Sequence, residues 1–322
     1  MRVSMLDIHT VGAGGGSLAR VDEGGLLRVG PESAGADPGP ACYGKGELPT
    51  VTDAHVVLGR IAEDQLVGGE MHIDSHRAEH AIARIAKVLH LDIPRAAAGI
   101  LRVANASMER AIRLVSVERG HDPRDFALVA FGGCGGLHAC DLAEELGIRT
   151  VLVPEHAGVL SALGMLLADN VRDYTAGVLG RSDNIEREFR KLEATARKDA
   201  RGSVLTRSAD LRYAGQSYEL NVPWDPDKPG EGFHREHQRQ YGYSDAKRAV
   251  EVVTIRVKSR IAARPLNLQG RRGKPARPTA RRIFVSSEWR ETPIYRRDAI
   301  LARDRKGPAL VIDYGSTTLI PL

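Results

Sequence analysis

Three groups of residues in this sequence have the types and spacing that chemistry uses. Asp7 and His9 lie two residues apart, so on a strand both side chains point the same way. Such a pair either positions water, substrate or a metal ion, or closes a strand end with ordinary hydrogen bonds. It stands just ahead of a glycine run, Gly14-Gly15-Gly16-Ser17, and glycine-rich backbone lets N–H groups approach an anion. A second run, Gly132-Gly133-Cys134-Gly135-Gly136, follows an apolar stretch and precedes His138. His72, His76 and His80 recur at every fourth residue, as imidazoles facing a metal from one helix would. Asp74 and Ser75 are good caps, however, so that helix is expected to start after His72 and leave it outside the array.

The second glycine run invites a dinucleotide reading, because Glu155 follows about 20 residues on, where a ribose-binding acid is expected. The third glycine position is His138 instead. A nucleotide approached closely by the Gly133/Gly135 pair is the expectation, and NAD is not the first choice. Cys134 in this loop is either a nucleophile or a small buried filler, and the second is expected because free cysteine is among the most buried residue types. Cys42, Cys134 and Cys140 are the three cysteines, with no CxxC pair. That excludes a disulfide framework and a zinc ribbon, and points to a reducing, cytoplasmic setting.

The elements that must position these residues read as α/β. Ala81, Ile82, Ile85, Val88 and Leu89 share one face of a first helix. Ile100, Ala104, Met108, Ala111 and Val115 share one face of a second, capped by Asp92 with Pro94 in its first turn and stopped near Gly120. Ala127 to Phe131 reads as a buried strand, Leu137 to Leu146 as a helix ended by Gly147, and Thr150 to Val153 as a second strand. A further helix runs from Val159 to Leu167. Strand, glycine loop, helix and strand make a βαβ unit of a parallel sheet. After about residue 175 the chain becomes strand-dominated. A charged helix (Asn184 to Arg201) leads to a hairpin-like pair within Asp210 to Val222, then a short helix (Gly232 to Tyr241). Strands follow at Val250 to Ile261, Arg282 to Val285 and Ala309 to Ile312.

Charge divides the chain in the same place. Residues 1–180 carry 16 Lys and Arg against 23 Asp and Glu, whereas residues 181–322 carry 30 against 18. A sign change of that size suggests two units, expected at 1–178 and 179–322. The densest basic stretch, Arg271 to Arg282, has no interleaved aromatic residue to stack a base. A solvated loop or a surface for an acidic partner subunit is expected there, and nucleic acid is not. No apolar run has the length of a membrane span, and the first residues have no signal-peptide core.

Several segments together resemble the hydantoinase A/oxoprolinase family. They are Asp7 to Ala19 (DIHTVGAGGGSLA), Val29 to Gly44 (VGPESAGADPGPACYG), Pro49 to Gly59 (PTVTDAHVVLG), Ser116 to Asp125 (SVERGHDPRD), Phe126 to Ala139 (FALVAFGGCGGLHA) and Gly158 to Asp169 (GVLSALGMLLAD). Leu211 to Leu220 (LRYAGQSYEL) and Tyr314 to Pro321 (YGSTTLIP) resemble the same family's carboxy-terminal domain. The resemblance implies a partial actin-like ATPase (ribonuclease H-like) lobe followed by a strand-rich α+β carboxy-terminal domain. It implies an ATP-dependent opening of a cyclic amide such as 5-oxoproline or a hydantoin, with ATP and Mg²⁺ as cofactors and a B-type hydantoinase subunit as partner. A ketone carboxylase subunit and a catalytically inactive assembly module are the alternatives. It places the nucleotide against Gly132, Gly133, Gly135, Gly136 and His138, with Gly14, Gly15, Gly16 and Ser17 lining the same site; Asp7 and His9, on their own spacing, are the catalytic candidates.

Departures from the family pattern bear on activity. Relatives carry two acidic, glycine- and threonine-rich phosphate loops of the form DxGGT ahead of the segment that begins here at Met5, and this sequence holds neither. The chain is therefore expected to need a separate amino-terminal lobe, and to be shortened slightly at its other end. Position 136 is Gly where relatives usually have Pro, and position 55 is His where many have Asn.

Overall fold

In the computed structural model, which describes residues 8–63, 69–179, 184–265, 277–300 and 306–322, the first three α-helices begin where side-chain caps place them. Thr50 and Asp53 form a reciprocal capping box at the start of α1 (Val51–Val57). Asp74 accepts from the Arg77 N–H at the start of α2 (Ser75–Leu89), and Asp92 does the same for Arg95 at the start of α3 (Ile93–Val115). Each cap satisfies an N–H that the first helical turn otherwise leaves unpaired. Asp7 and residues 271–276 of the basic stretch lie outside the described residues.

The chain forms two compact units, Met1–Leu163 with Leu268–Leu322, and Gly164–Asn267. In the first, α1, α2 and α3 bury Val51, Leu58, Ile82, Ile85, Ile100 and Ala104 against one another. An antiparallel pair, β1 (Ser17–Val21) and β2 (Leu27–Ser33), joins this core through Ala19 and Val29. Val88 is not part of it: that side chain is 58% exposed, although its spacing puts it near the apolar stripe of α2.

The expected βαβ unit is present as β3 (Ala127–Val129), α4 (Gly135–Leu146) and β4 (Thr150–Leu152), with Leu128 paired to Val151 in parallel register. α4 starts two residues earlier than the periodicity predicts, inside the glycine run. Leu128 and Val151 pack on Leu146, Ile148 and Ile112. Val129 and Leu152, on the other face of the same two strands, are about half exposed.

Four more strands complete this unit: β9 (Thr279–Val285), β10 (Glu288–Arg296), β11 (Ala309–Ile312) and β12 (Thr317–Ile320), in the order β12-β11-β10-β9. Ile283, Ile294, Leu310 and Leu319 share a core with Cys42, Val56, Ile73 and Leu137. These strands follow the charge boundary at about residue 178, yet they pack with the residues that precede it. Their apolar positions match the back of α4, and the surface charge of the intervening loops has no bearing on that fit.

The second unit is a four-stranded antiparallel sheet of order β5-β8-β6-β7, made of β5 (Asn170–Gly177), β6 (Val204–Tyr213), β7 (Leu220–Pro223) and β8 (Val250–Ile261). The helices α5 (Ile185–Asp199) and α6 (Pro229–Tyr241) supply Phe189 and Phe233 to its core beside Tyr213, Leu211 and Ile255. Buried Asp210 is paired by Arg256 at 2.6 Å and accepts from the Asn221 amide at 2.8 Å.

Candidate functional site

The two glycine runs, far apart in sequence, meet on one cleft. Gly14 and Gly15 form one rim and Gly132, Gly133 and Gly135 the other, and His9 and His138 also line a cavity of about 760 Å³. The wall between the rims is apolar: Met108, Ala111, Ile112 and Val115 from α3, with Phe131 and Leu142. A site of this size with an apolar wall and a few polar backbone groups is the usual form of a small-molecule pocket.

Hydrogen bonds to neighbouring side chains fix each rim. The Ser17 hydroxyl accepts from the Gly14 N–H at 2.9 Å and donates to the Gly12 carbonyl at 3.3 Å. The Gly15 carbonyl accepts from both the N–H and the hydroxyl of Thr52, each at 2.9 Å, which ties the run to the first turn of α1. A Cβ on Gly15 would stand 2.8 Å from that hydroxyl. On the other rim, Gly132 has φ +84° and donates to the Ala157 carbonyl at 2.8 Å, and Gly133 accepts from Thr317 at 3.1 Å. Cys134 is the N-cap of α4 but its side chain makes no capping bond. The first turn of α4 therefore brings uncapped N–H groups to a glycine-lined edge, the arrangement that suits an anionic group.

Not every residue singled out from the sequence reaches the cleft. Gly16 and Ser17 support the rim without lining it. Gly136 is a packing position, since a Cβ there would come within 2.4 Å of Thr318 Oγ1. Burial pushes the Cys134 thiol up to about 11, so at neutral pH it is a protonated filler. His9 is exposed at the mouth of the cleft; Asp7, its expected partner, lies outside the described residues. His72, His76 and His80 are all exposed. Among the described residues no three His, Cys, Asp or Glu side chains are arranged to hold a metal.

His138 sits differently from its expected role. It is buried, and both ring nitrogens are used within the protein. Nδ1 lies 2.6 Å from Asn105 Oδ1, and because a carbonyl only accepts, Nδ1 carries the proton. The neutral ring then accepts at Nε2, from the His55 Nε2–H 3.1 Å away. Asn105 in turn donates to Asp141 at 3.2 Å. Burial, assisted by the positive charge of Arg60, holds His138 down at about 4, and burial drives His55 well below the ordinary histidine range. Both imidazoles are neutral at physiological pH. His138 therefore braces α4 against α1 and α3 directly behind the glycine rim, and it offers the cleft ring carbon, with no free nitrogen.

His55 and Asn105 complete this brace, and neither stands out in the sequence as a site residue. His55 and His138 are 83 positions apart, beyond any spacing rule. The one available signal was the departure from Asn at position 55. Asn105 falls between the apolar-stripe positions Ala104 and Met108, where nothing distinguishes it from a solvated polar residue.

The cleft combines an apolar wall that a planar ring can cover, glycine rims that permit close approach, and helix N–H groups that suit an anion. Among the described residues no Asp or Glu lines the cleft.

The Hydantoinase/oxoprolinase family model matches residues 1–174. An uncharacterized protein of Methanocaldococcus jannaschii is 42% identical over 340 residues, which takes in 100% of this chain and 49% of that protein. The caprolactamase subunit alpha of Pseudomonas jessenii is 37% identical over 355 residues, covering 99% of this chain and 51% of its own length. The crystal structure of the ATP-dependent caprolactamase from that organism aligns with a TM-score of 0.65 at 34% identity over 98% of this chain and 51% of that one. A nucleotide-free structure of acetone carboxylase, which acts in ATP-dependent acetone carboxylation, aligns with a TM-score of 0.84 at 22% identity. It covers 96% of this chain and 49% of that one, and shows a shared fold. The chain spans about half the length of the relatives it matches.

Proposed function

Because the chain belongs to the hydantoinase/oxoprolinase family, we propose that it forms the adenosine-binding part of an ATP-dependent enzyme that opens cyclic amides. The observation that carries this reading is the convergence of Gly14-Gly15 and Gly132–Gly135 on one apolar-walled cleft. The first unit is then a partial actin-like lobe. Bound ATP supplies the phosphoryl group that converts an unreactive amide oxygen into a leaving group. This chain's own part is positional. Its glycine rims admit the nucleotide closely, the α3 wall and Phe131 cover the base, and the first turn of α4 faces negative charge. The His55–His138–Asn105 brace keeps that turn in place.

On this reading phosphate and Mg²⁺ ligands come from polypeptide beyond the described residues. The outward face of β3 and β4 favours such a partner: Val129 and Leu152 on it are apolar and about half exposed. Parallel strands are normally covered on both faces. The amino-terminal lobe that carries the DxGGT loops is the occupant proposed for that face, and a B-type subunit completes the enzyme.

A Val side chain at Gly14 tests the assignment, because a Cβ there meets nothing within 4 Å in the fold and projects into open space. Gly14→Val should weaken ADP binding at least tenfold, read by calorimetry, with an unchanged Tm. His138→Ala should weaken it more than His76→Ala, which lies on the exposed face of α2. Equal effects of the two, or wild-type affinity in Gly14→Val, would remove the cleft from consideration. Absence of turnover with 5-oxoproline or hydantoin in the presence of both partner polypeptides would sink the amidohydrolase reading and leave the assembly module.

A further inference from the structure

His138 lines the glycine cleft, but the two residues bonded behind it, Asn105 and Asp141, line a different cavity. This second cavity has a volume of about 340 Å³ and lies in the first unit, between the middle of α3 and the turn that joins β9 to β10. Its floor is Arg60. That side chain is only 9% exposed, and its Nε has no hydrogen-bond partner. Arg102 stands exposed on the same wall one turn along α3, and Ser286 and Ser287 close the far side.

A buried guanidinium without a matched counter-charge is costly, so folds do not leave one without reason. Burial lowers the Arg60 guanidinium from its ordinary value, with Asp141 the one acid that opposes the effect. An arginine nevertheless stays protonated in proteins. Asp141 does not neutralise it well. Burial raises the Asp141 carboxyl, and one of its oxygens already accepts from Asn105. The turn adds a second oddity. Ser286 and Ser287 have φ of +50° and +65°, a left-handed conformation that two-residue hairpin turns normally give to Asn and Gly. Non-glycine residues held in that region cluster at ligand clamps.

We propose that this cavity binds a small oxyanion of phosphate size, with Arg60 beneath it, Arg102 at the rim and the Ser286-Ser287 turn as its clamp. Guanidinium forks match the oxygens of phosphate and carboxylate. At about 340 Å³ the cavity sits at the lower end of the ~300–1,000 Å³ typical of ligand sites, which admits a phosphate group and not a whole nucleotide. The site is wired to the glycine cleft through Asp141, Asn105 and His138, three residues in one hydrogen-bonded chain. An anion on Arg60 relieves the positive charge that acts on His138, so occupancy of one cavity is felt in the wall of the other.

Calorimetric titration of the full chain with inorganic phosphate at constant ionic strength tests this without ATP or turnover. The expected result is saturable binding of one phosphate per chain, weakened at least tenfold in Arg60→Met and about fivefold in Arg102→Ala. Arg110→Ala, on the part of α3 outside this cavity, should bind as wild type. Arg60→Lys should restore part of the affinity and guards against a folding defect in Arg60→Met. Phosphate should also move the His138 imidazole resonance in wild type and not in Arg60→Met. AMP that competes with phosphate would identify a nucleotide's phosphate group as the occupant, and AMP that does not would identify free phosphate. Absence of saturable binding, or equal binding by wild type, Arg60→Met and Arg102→Ala, overturns the proposal. Phosphate binding by a chain that fails to bind ADP would keep this site and discard the nucleotide reading.

Discussion

The two halves of helix α3 carry the same apolar period and meet different fates. In the first half, Ala96, Ala97, Ile100, Leu101 and Ala104 are buried in the three-helix core. In the second, Met108, Ala111, Ile112 and Val115 continue the stripe, are only partly buried, and form the wall of the glycine cleft. Periodicity identifies the face that avoids water, but not whether protein or ligand covers it. The difference between the halves lies in what stands opposite. Ile100 is enclosed within the core it shares with α1 and α2, whereas Met108 packs at the edge of that core and also lines the space that the glycines on both rims leave unfilled.

Truncation on either side of that divide should give the largest contrast. Ile100→Ala removes a fully buried side chain from a packed core and should cost about 2–5 kcal/mol in urea unfolding. Met108→Ala should cost under about 1 kcal/mol, since its neighbours are partly solvent, yet should weaken ADP binding several-fold. If the two changes destabilise equally, the second half of α3 is ordinary core and the cleft assignment falls.

The brace between the halves is the next most sensitive feature. His55→Leu leaves the buried Nε2 of His138 without its donor, and an unsatisfied buried acceptor costs about 1–3 kcal/mol. His55→Asn, which can still donate, should recover most of it. The pH dependence follows from the depressed histidines. Between 6.5, the ordinary value, and about 4, the folded value for His138, the unfolded chain binds protons that the folded chain refuses. Stability from the pair is thus complete above pH 6.5 and lost as pH falls through that window. The raised Asp141 carboxyl works in the opposite direction in acid. Chemical denaturation from pH 7 to 4 should therefore show a shallower loss in His55→Asn than in wild type. Parallel curves would mean that the imidazoles are not the neutral pair described.

Local structure was the legible part of the sequence. The Asp74 and Asp92 caps, the stop at Gly147 and the βαβ unit around the second glycine run all depend on residues within a few positions of one another. Convergence of the two glycine runs was legible as well, through the family pattern. The His55–His138 pair was not, because it depends on tertiary contact between helices. Nor was the return of β9–β12 to the first unit: charge sign reports which surfaces face water and says nothing of which core a strand joins. β10 (EWRETPIYR) and β12 (TTLI) show no clear apolar pattern, because charges interrupt the first and half of the second is threonine, whereas the equally short β11 (ALVI) is apolar throughout.

Val88 gives the smallest effect and the sharpest check on reading a stripe too widely. It lies beside Ile85 and Leu89 in sequence, but the side chain is 58% exposed while Ile85 is buried at 5%. The stripe of α2 is narrower than its apolar residues suggest, because the helix packs on α1 and α3 from one side only. A charged residue at position 88 then meets solvent, and the loss of a β-branched side chain from a helix interior slightly favours the helix. Val88→Lys should leave stability within about 0.5 kcal/mol of wild type, whereas Ile85→Lys should unfold the chain or cost several kcal/mol, because it buries an unpaired charge. A loss above about 2 kcal/mol in Val88→Lys would mean that this face of α2 is covered in solution, and would transfer to α2 the question now posed by the exposed face of β3 and β4.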